Sequence, residues 1–157
     1  MSQGQEPGQN LQALSQQLQE LDQVQAQLET QREATEALRD EVEEAIEALG
    51  ELETGSTVQV PLGGDAYVRA EIVDIDEVIV DVGADYSVEQ PQDDAVEVLE
   101  GKRDQLEETI DELDESLEEV NQDIQEVETH AQQLRQQMLQ QQQGQQLGGG
   151  GLGGGSS

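Results

Sequence analysis

From Leu99 onward, apolar side chains return at alternating steps of four and three: Leu99, Leu106, Ile110, Leu113, Leu117, Val120, Ile124, Val127, Ala131, Leu134 and Met138, with Arg103 holding one position. Such a run, sustained over more than five heptads, gathers the apolar groups on one stripe of an α-helix and specifies a left-handed coiled coil. A second run opens the same way with Leu11, Leu14, Leu18 and Leu21. Strict continuation of that run meets Gln25, Arg32, Thr35 and Arg39, whereas the apolar residues step through Val24, Leu28, Ala34, Leu38, Val42, Ala45, Ile46, Leu49 and Leu52. The drift reads as a stutter or a broadened apolar face. At 1.5 Å per residue each helix would extend roughly 60 to 75 Å, so the two match in length and can pair.

Between the helices the period falls to two. Thr57–Pro61, Tyr67–Ile72, Glu77–Val82 and Tyr86–Glu89 read as four short strands, because alternation puts their aliphatic residues on one face. Gly63-Gly64-Asp65, Asp74-Ile75-Asp76 and Gly83-Ala84-Asp85 separate them, and glycine supplies the positive φ that tight hairpins need. Two successive hairpins follow. Thr54-Gly55-Ser56 closes the first helix, Pro91 ends the last strand, and Asp93 or Asp94 is placed to cap the second helix. The expected organisation is a flexible segment 1–10, a domain 11–142 (helix 11–53, hairpins 57–90, helix 93–142) and a disordered Gly/Gln-rich tail 143–157. The fold class is α+β: a long antiparallel coiled-coil helical hairpin with two β-hairpins inserted between the helices.

Composition then narrows what such a fold can be. The 157 residues carry 37 acidic against 6 basic side chains, a formal charge of −31, and only 33% are hydrophobic. There is no Phe or Trp, and Tyr67 and Tyr86 are the only aromatic residues. Values like these ordinarily mark disorder, so the strict patterning must carry the fold. The absence of cysteine excludes disulfides and thiolate chemistry. A field this negative repels phosphate backbones and anionic lipid, so neither nucleic acid nor a membrane is an expected partner. No apolar stretch has the length of a signal core or a membrane span, and a cytoplasmic location is expected. Molar salt shortens the Debye length to about 3 Å and lets neighbouring carboxylates coexist, which points to a halophilic source.

The insert cannot be complete by itself. Isolated hairpins are marginal in water, and four short strands make a thin sheet with open edges. Val58, Val60, Val68, Ala70, Ile72, Val78, Val80, Val82 and Val88 are therefore the candidate assembly residues, meeting hairpins of other chains while the coiled coils project outward. Helix, two hairpins and helix, with Val58-Gln59-Val60-Pro61-Leu62-Gly63, Tyr67-Val68-Arg69-Ala70 and Val78-Ile79-Val80-Asp81-Val82-Gly83-Ala84, resembles the alpha class of the archaeal prefoldin family over roughly residues 11–139. The resemblance implies a hexamer of two alpha and four beta subunits with a double β-barrel body and six coiled-coil tentacles. It also implies ATP-independent capture of unfolded polypeptides and their delivery to a group II chaperonin. The acidity and the long Gln/Gly tail depart from that pattern.

Client contact is expected at the helix ends, where Leu11, Leu14 and Leu18 lie beside Leu134, Met138 and Leu139. Terminal turns fray and expose apolar groups, and methionine adapts to varied surfaces. Seam burial is the plainer role for Leu14, Leu18 and Leu134, and Leu139, one place off the register, is the better contact residue. His130 is the single histidine, with Glu126 four residues before it, and lacks the companion ligands of a metal site. Asp74, Asp76, Glu77 and Asp81 lack EF-hand spacing, and no phosphate loop is present. No cofactor, metal or catalytic group is expected. The competing reading is a structural adaptor that recruits one folded partner.

Overall fold

A computed structural model describes residues 7–155, with side chains described for residues 8–143. The elements are α1 (Pro7–Glu51), β1 (Thr57–Gly63), β2 (Ala66–Glu71), β3 (Val78–Gly83), β4 (Tyr86–Gln90) and α2 (Gln92–Gly155). Two long helices thus bracket two hairpins, in the α+β order expected. Helix α1 opens on Pro7, inside the segment expected to be flexible; proline at a helix start sacrifices no hydrogen bond, since the first N–H groups have no intrahelical acceptor. Residues 1–6 lie outside the described residues. The bounds of α2 extend to Gly155, into the segment expected to form a disordered tail; residues 156–157, and the side chains of residues 144–155, lie outside the described residues.

Two compact units divide the chain. One joins the α1 residues up to Gln31 with the α2 residues from Leu113; the other is Arg32–Glu112 and holds both hairpins. In the first unit, the Gln25 Nε2 amide donates to Asn121 Oδ1 at 2.5 Å across the helix pair. In the second, Gln92 Nε2 donates to the carbonyls of Leu49 at 2.6 Å and Leu52 at 2.9 Å. Leu49 carries one of the last carbonyls of α1, which have no intrahelical donor, and Leu52 follows the helix end; a side chain from α2 satisfies both.

The burial pattern corrects the stutter expected in α1. Leu11, Leu14, Leu18, Leu21, Gln25, Leu28, Arg32, Thr35, Arg39, Val42, Ile46 and Leu49 are all half-buried, an unbroken alternation of three and four. Val24 and Leu38, the apolar residues taken to mark the drift, are 42% and 51% exposed. The heptad therefore continues through its polar members. A two-helix seam desolvates each position only in part, so Gln and Thr can keep a polar end wet and Arg can lay down its aliphatic stem while its head reaches water. On α2 every residue of the run from Leu99 to Met138, Arg103 included, is half-buried or buried, with Ile110, Val127 and Ala131 the most enclosed.

The hairpins form two separate two-stranded sheets, β1–β2 and β3–β4, both antiparallel. Hydrogen bonds from Gly55 N to Ile72 O and from Ile72 N to Ser56 O, both 2.8 Å, tie the end of α1 to the end of β2. Thr54 Oγ1 accepts from Ile75 N at 3.0 Å, holding the inter-hairpin link to the same place. The first turn uses Gly64 (φ 59°) and Asp65 (φ 62°), the second Ala84 (φ 49°) and Asp85 (φ 62°). Both central residues are left-handed in each, as a two-residue hairpin turn on a right-twisted ribbon requires. In the second turn an alanine therefore occupies a conformation that costs an L-residue about 1–2 kcal/mol.

Helix α2 begins one residue before the expected cap. Ala95 N donates to Pro91 O at 2.9 Å, which makes Pro91 the residue flanking the helix. Asp93 and Asp94 fall inside the first turn, where their charge favours the positive end of the helix dipole.

Two outcomes follow from these placements. Val127→Ala, at a position 8% exposed, lowers stability by about 2 kcal/mol, whereas Val24→Ala changes it by less than about 0.5 kcal/mol. Thermal melts followed by circular dichroism in molar KCl check this; equal losses would restore the drifted register. Ala84→Gly slows amide exchange across β3–β4 and leaves β1–β2 unchanged, because glycine removes the left-handed penalty; unchanged exchange in both hairpins would count against strain at that turn.

Candidate functional site

Cross-strand pairing sets which hairpin residues share a face. In β1–β2, Val58 stands opposite Ala70 and Val60 opposite Val68, while Gln59 faces Arg69 and Pro61 faces Tyr67 on the other side. One face is therefore aliphatic and the other largely polar. In β3–β4, Val80 pairs with Val88 on one face, and Ile79 with Glu89 on the other. Val60 and Val68 are 39% and 47% exposed, Val82 and Val88 are exposed as well, and Val58, Ala70, Ile72 and Val78 are half-buried. Val80 alone among the nine candidate assembly residues is buried, at 6%. Leu62 belongs with this set and is strongly exposed. The alternation Val58, Val60, Leu62 could have revealed it, had Pro61 not been read as the end of the strand. Proline is tolerated in an edge strand, where its missing N–H breaks no central ladder, and β1 continues past it to Gly63.

Tyr67 and Tyr86 are both exposed. Tyr67 lies across from Pro61, and Tyr86 across from Gly83 beside the second turn.

The arginines that the strict heptads meet have acidic neighbours on their own helices. Arg32, Arg39 and Arg103 occupy seam positions, half-buried. The Arg32 guanidinium meets Glu36 at 2.9 Å, Arg39 meets Asp40 at 3.1 Å and Glu36 at 3.7 Å, and Arg103 meets Asp104 at 3.2 Å. The hydrogen bond to Asp40, followed by the nearby charges of Asp40, Glu43 and Glu36, raises the Arg39 pKa above its ordinary value despite an opposing desolvation. Lys102, the single lysine, donates from Nζ to the backbone carbonyl of Asp81. That bond links α2 to β3, next to the buried Val80.

The predicted tip residues fall in the other unit. Leu11, Leu14, Leu18, Leu134 and Met138 are half-buried, and Leu139 is 58% exposed. Counting outward from the Gln25–Asn121 bond sets Leu11 level with about Arg135, so Leu134 and Met138 flank it on the partner helix. His130 is exposed beside Glu126 in a shallow depression with Gln122, Gln125, Thr129 and Gln133. Among the described residues no group of three or more His, Cys, Asp or Glu side chains is arranged to hold a metal ion, and no helix is long and apolar enough to cross a membrane.

Paired helical runs with a heptad seam bracket two aliphatic-faced hairpins, the arrangement of a prefoldin-class subunit, and the family model described as "Prefoldin subunit" matches residues 9–137. The chain belongs to the prefoldin family, a family of chaperones. It is similar to chains named Prefoldin subunit alpha, with 59% identity over 70 residues to that of Halorubrum lacusprofundi (45% of this chain, 46% of the relative). The match to Haloarcula marismortui is also 59% over 70 residues, with the same coverage. That to Methanoculleus marisnigri is 39% over 103 residues (65% of this chain, 60% of the relative). The matched stretch spans about half the length of the two haloarchaeal relatives. Among solved structures, a filamentous PFD from Methanocaldococcus jannaschii, determined by cryo-electron microscopy, is 25% identical with a TM-score of 0.51, covering 76% of this chain and 95% of that one.

Removing the α2–β3 link has a local signature. Lys102→Met speeds amide exchange in β3–β4 several-fold, the effect of losing about 1 kcal/mol from a charge-assisted hydrogen bond, and leaves β1–β2 as it was. Equal acceleration in both hairpins would show that Lys102 supports the unit as a whole.

Proposed function

We propose that this chain is a subunit of an ATP-independent holdase that captures non-native polypeptides at its coiled-coil ends and passes them to a group II chaperonin. The observation that carries the reading is the row of aliphatic hairpin residues left uncovered, Val60, Leu62, Val68, Val82 and Val88. A chain of net charge −31 that still leaves so much apolar strand surface in water is built to be completed by other chains. Each strand is also an edge, with unpaired backbone groups along one side. Membership of a chaperone family supports prefoldin beta subunits as the completing chains, in a hexamer of two alpha and four beta subunits. Cytoplasmic action fits the same reading.

Capture is assigned to the helix ends carrying Leu11, Leu14, Leu18, Leu134, Met138 and Leu139. Apolar contact supplies affinity at about 25 cal/mol per Å² removed from water. Several weak tips acting on one client add avidity. Carboxylates along the helices keep a loaded complex soluble. Leu139 is the first contact, since it is exposed while its neighbours on the seam are half-buried.

The test is a paired measurement in molar KCl with the partner subunits present. Deleting residues 1–18 and 134–157 abolishes suppression of aggregation for several unrelated unfolded proteins and leaves the assembly otherwise intact by mass. Leu139→Ser, which does not touch the seam, reduces suppression without changing helicity. Undiminished activity of the truncated assembly would rule out capture at the ends, and protection confined to a single client would favour the adaptor reading.

A further inference from the structure

Every acidic residue except Glu6 falls between Glu20 and Glu128. The α1 stretch 7–19 and the α2 stretch 129–143 hold no carboxylate at all; they are made of Gln, Leu, Ala and a few other small or polar residues. One full charge remains there, on Arg135. Arg135 is exposed and has no ion pair among the described residues. The nearest acid on its own helix, Glu128, is seven residues away, about 10 Å along the axis. On α1 the nearest described acid to the level of Arg135 is Glu20, nine residues from Leu11, about 13 Å. Both separations exceed the Debye length of about 3 Å in molar salt.

Arg135 also has a defined neighbour. Leu139 is four residues further on, hence on the same face of α2 and one turn away, and it is the exposed leucine of this region. Gln132 and Gln142, three before and three after this pair, are exposed too. A cation and an aliphatic group about 6 Å apart along the axis match a carboxylate and an aliphatic residue two places apart in an extended chain, where the spacing is about 6.6–6.8 Å. The flanking amides can hydrogen-bond to peptide groups of such a chain.

From this we infer that the Arg135–Leu139 face is a selective contact for non-native segments in which acidic and aliphatic residues alternate. This rests on the holdase reading and adds to it a chemical class of client. Elsewhere the chain repels an acidic segment; here the carboxylates are withdrawn and one guanidinium is left without an internal partner. Charge complementarity at contact, rather than a long-range field, supplies the preference.

The experiment uses the full chain assembled with its partner subunits in molar KCl, and three fluorescently labelled unstructured peptides of equal leucine content. The variable positions are Glu in one, Gln in the second and Lys in the third. Anisotropy titration of the wild type gives the Glu peptide about threefold tighter binding than the Gln peptide, the size of an exposed ion pair, and the Lys peptide the weakest. Arg135→Gln erases the difference between the Glu and Gln peptides without altering affinity for the Gln peptide, and Arg135→Lys keeps part of it. Leu139→Ser weakens all three. Equal affinity of the wild type for the Glu and Gln peptides, or a preference that survives Arg135→Gln, overturns the inference while leaving the holdase reading intact. Failure of all three peptides to bind overturns both.

Discussion

The structure depends on a shortage: only 33% of the residues are hydrophobic, and they can be hidden only along a line. A seam between two helices is a one-dimensional core in which each side chain meets a partner on one side and water on the other. No large side chain among the described residues is fully buried. Stability must therefore come from many half-buried positions, each contributing about 1 kcal/mol, rather than from a few enclosed ones. Length substitutes for depth, which is why both helices are long.

That constraint also decides what the amino-acid pattern reveals. The α2 seam was legible because nearly all of its members are apolar, so periodicity and burial coincide. In α1 they part company. Gln25, Arg32, Thr35 and Arg39 hold seam positions while Val24 and Leu38 sit outside, and hydrophobicity alone points to the wrong stripe. The register was still available from the ends, since Leu11 to Leu21 and Val42 to Leu49 lie on one strict heptad. Polar residues between them inherit positions that the flanking leucines impose. Strands and turns were legible through alternation and glycine, but the extension of β1 to Leu62 was hidden behind Pro61. The Lys102 bond to Asp81 joins residues far apart in sequence and has no local signal.

The hairpins meet the same shortage in another form. A two-stranded ribbon has one apolar face and nothing of its own to set against it, and the two ribbons do not pair with each other. They are not equivalent, however. β3–β4 buries Val80 and is tied to α2 through Lys102, whereas no residue of β1–β2 is buried. The first hairpin is anchored at its base, through Gly55, Ser56 and Ile72, and is open along its length. Both ribbons still leave apolar surface for strand contact to bury: Val60, Leu62 and Val68 on the first, Ile79, Val82 and Val88 on the second.

Charge works at short range in such a chain. With the Debye length near 3 Å in molar salt, a carboxylate acts on what it touches and on little else. A net charge of −31 then describes solubility more than recognition, and the placement of single cations carries the specific information. Arg32, Arg39 and Arg103 each lie within hydrogen-bond or ion-pair distance of a carboxylate beside the seam, so they serve the helix pair. Lys102 serves a backbone carbonyl of the second hairpin. A cation used internally is surrounded by acids close in sequence, and a stretch from which acids are absent on both helices cannot serve that purpose. The near-neutral ends are thus a distinct surface built from the same two helices, with amides and leucines in place of carboxylates.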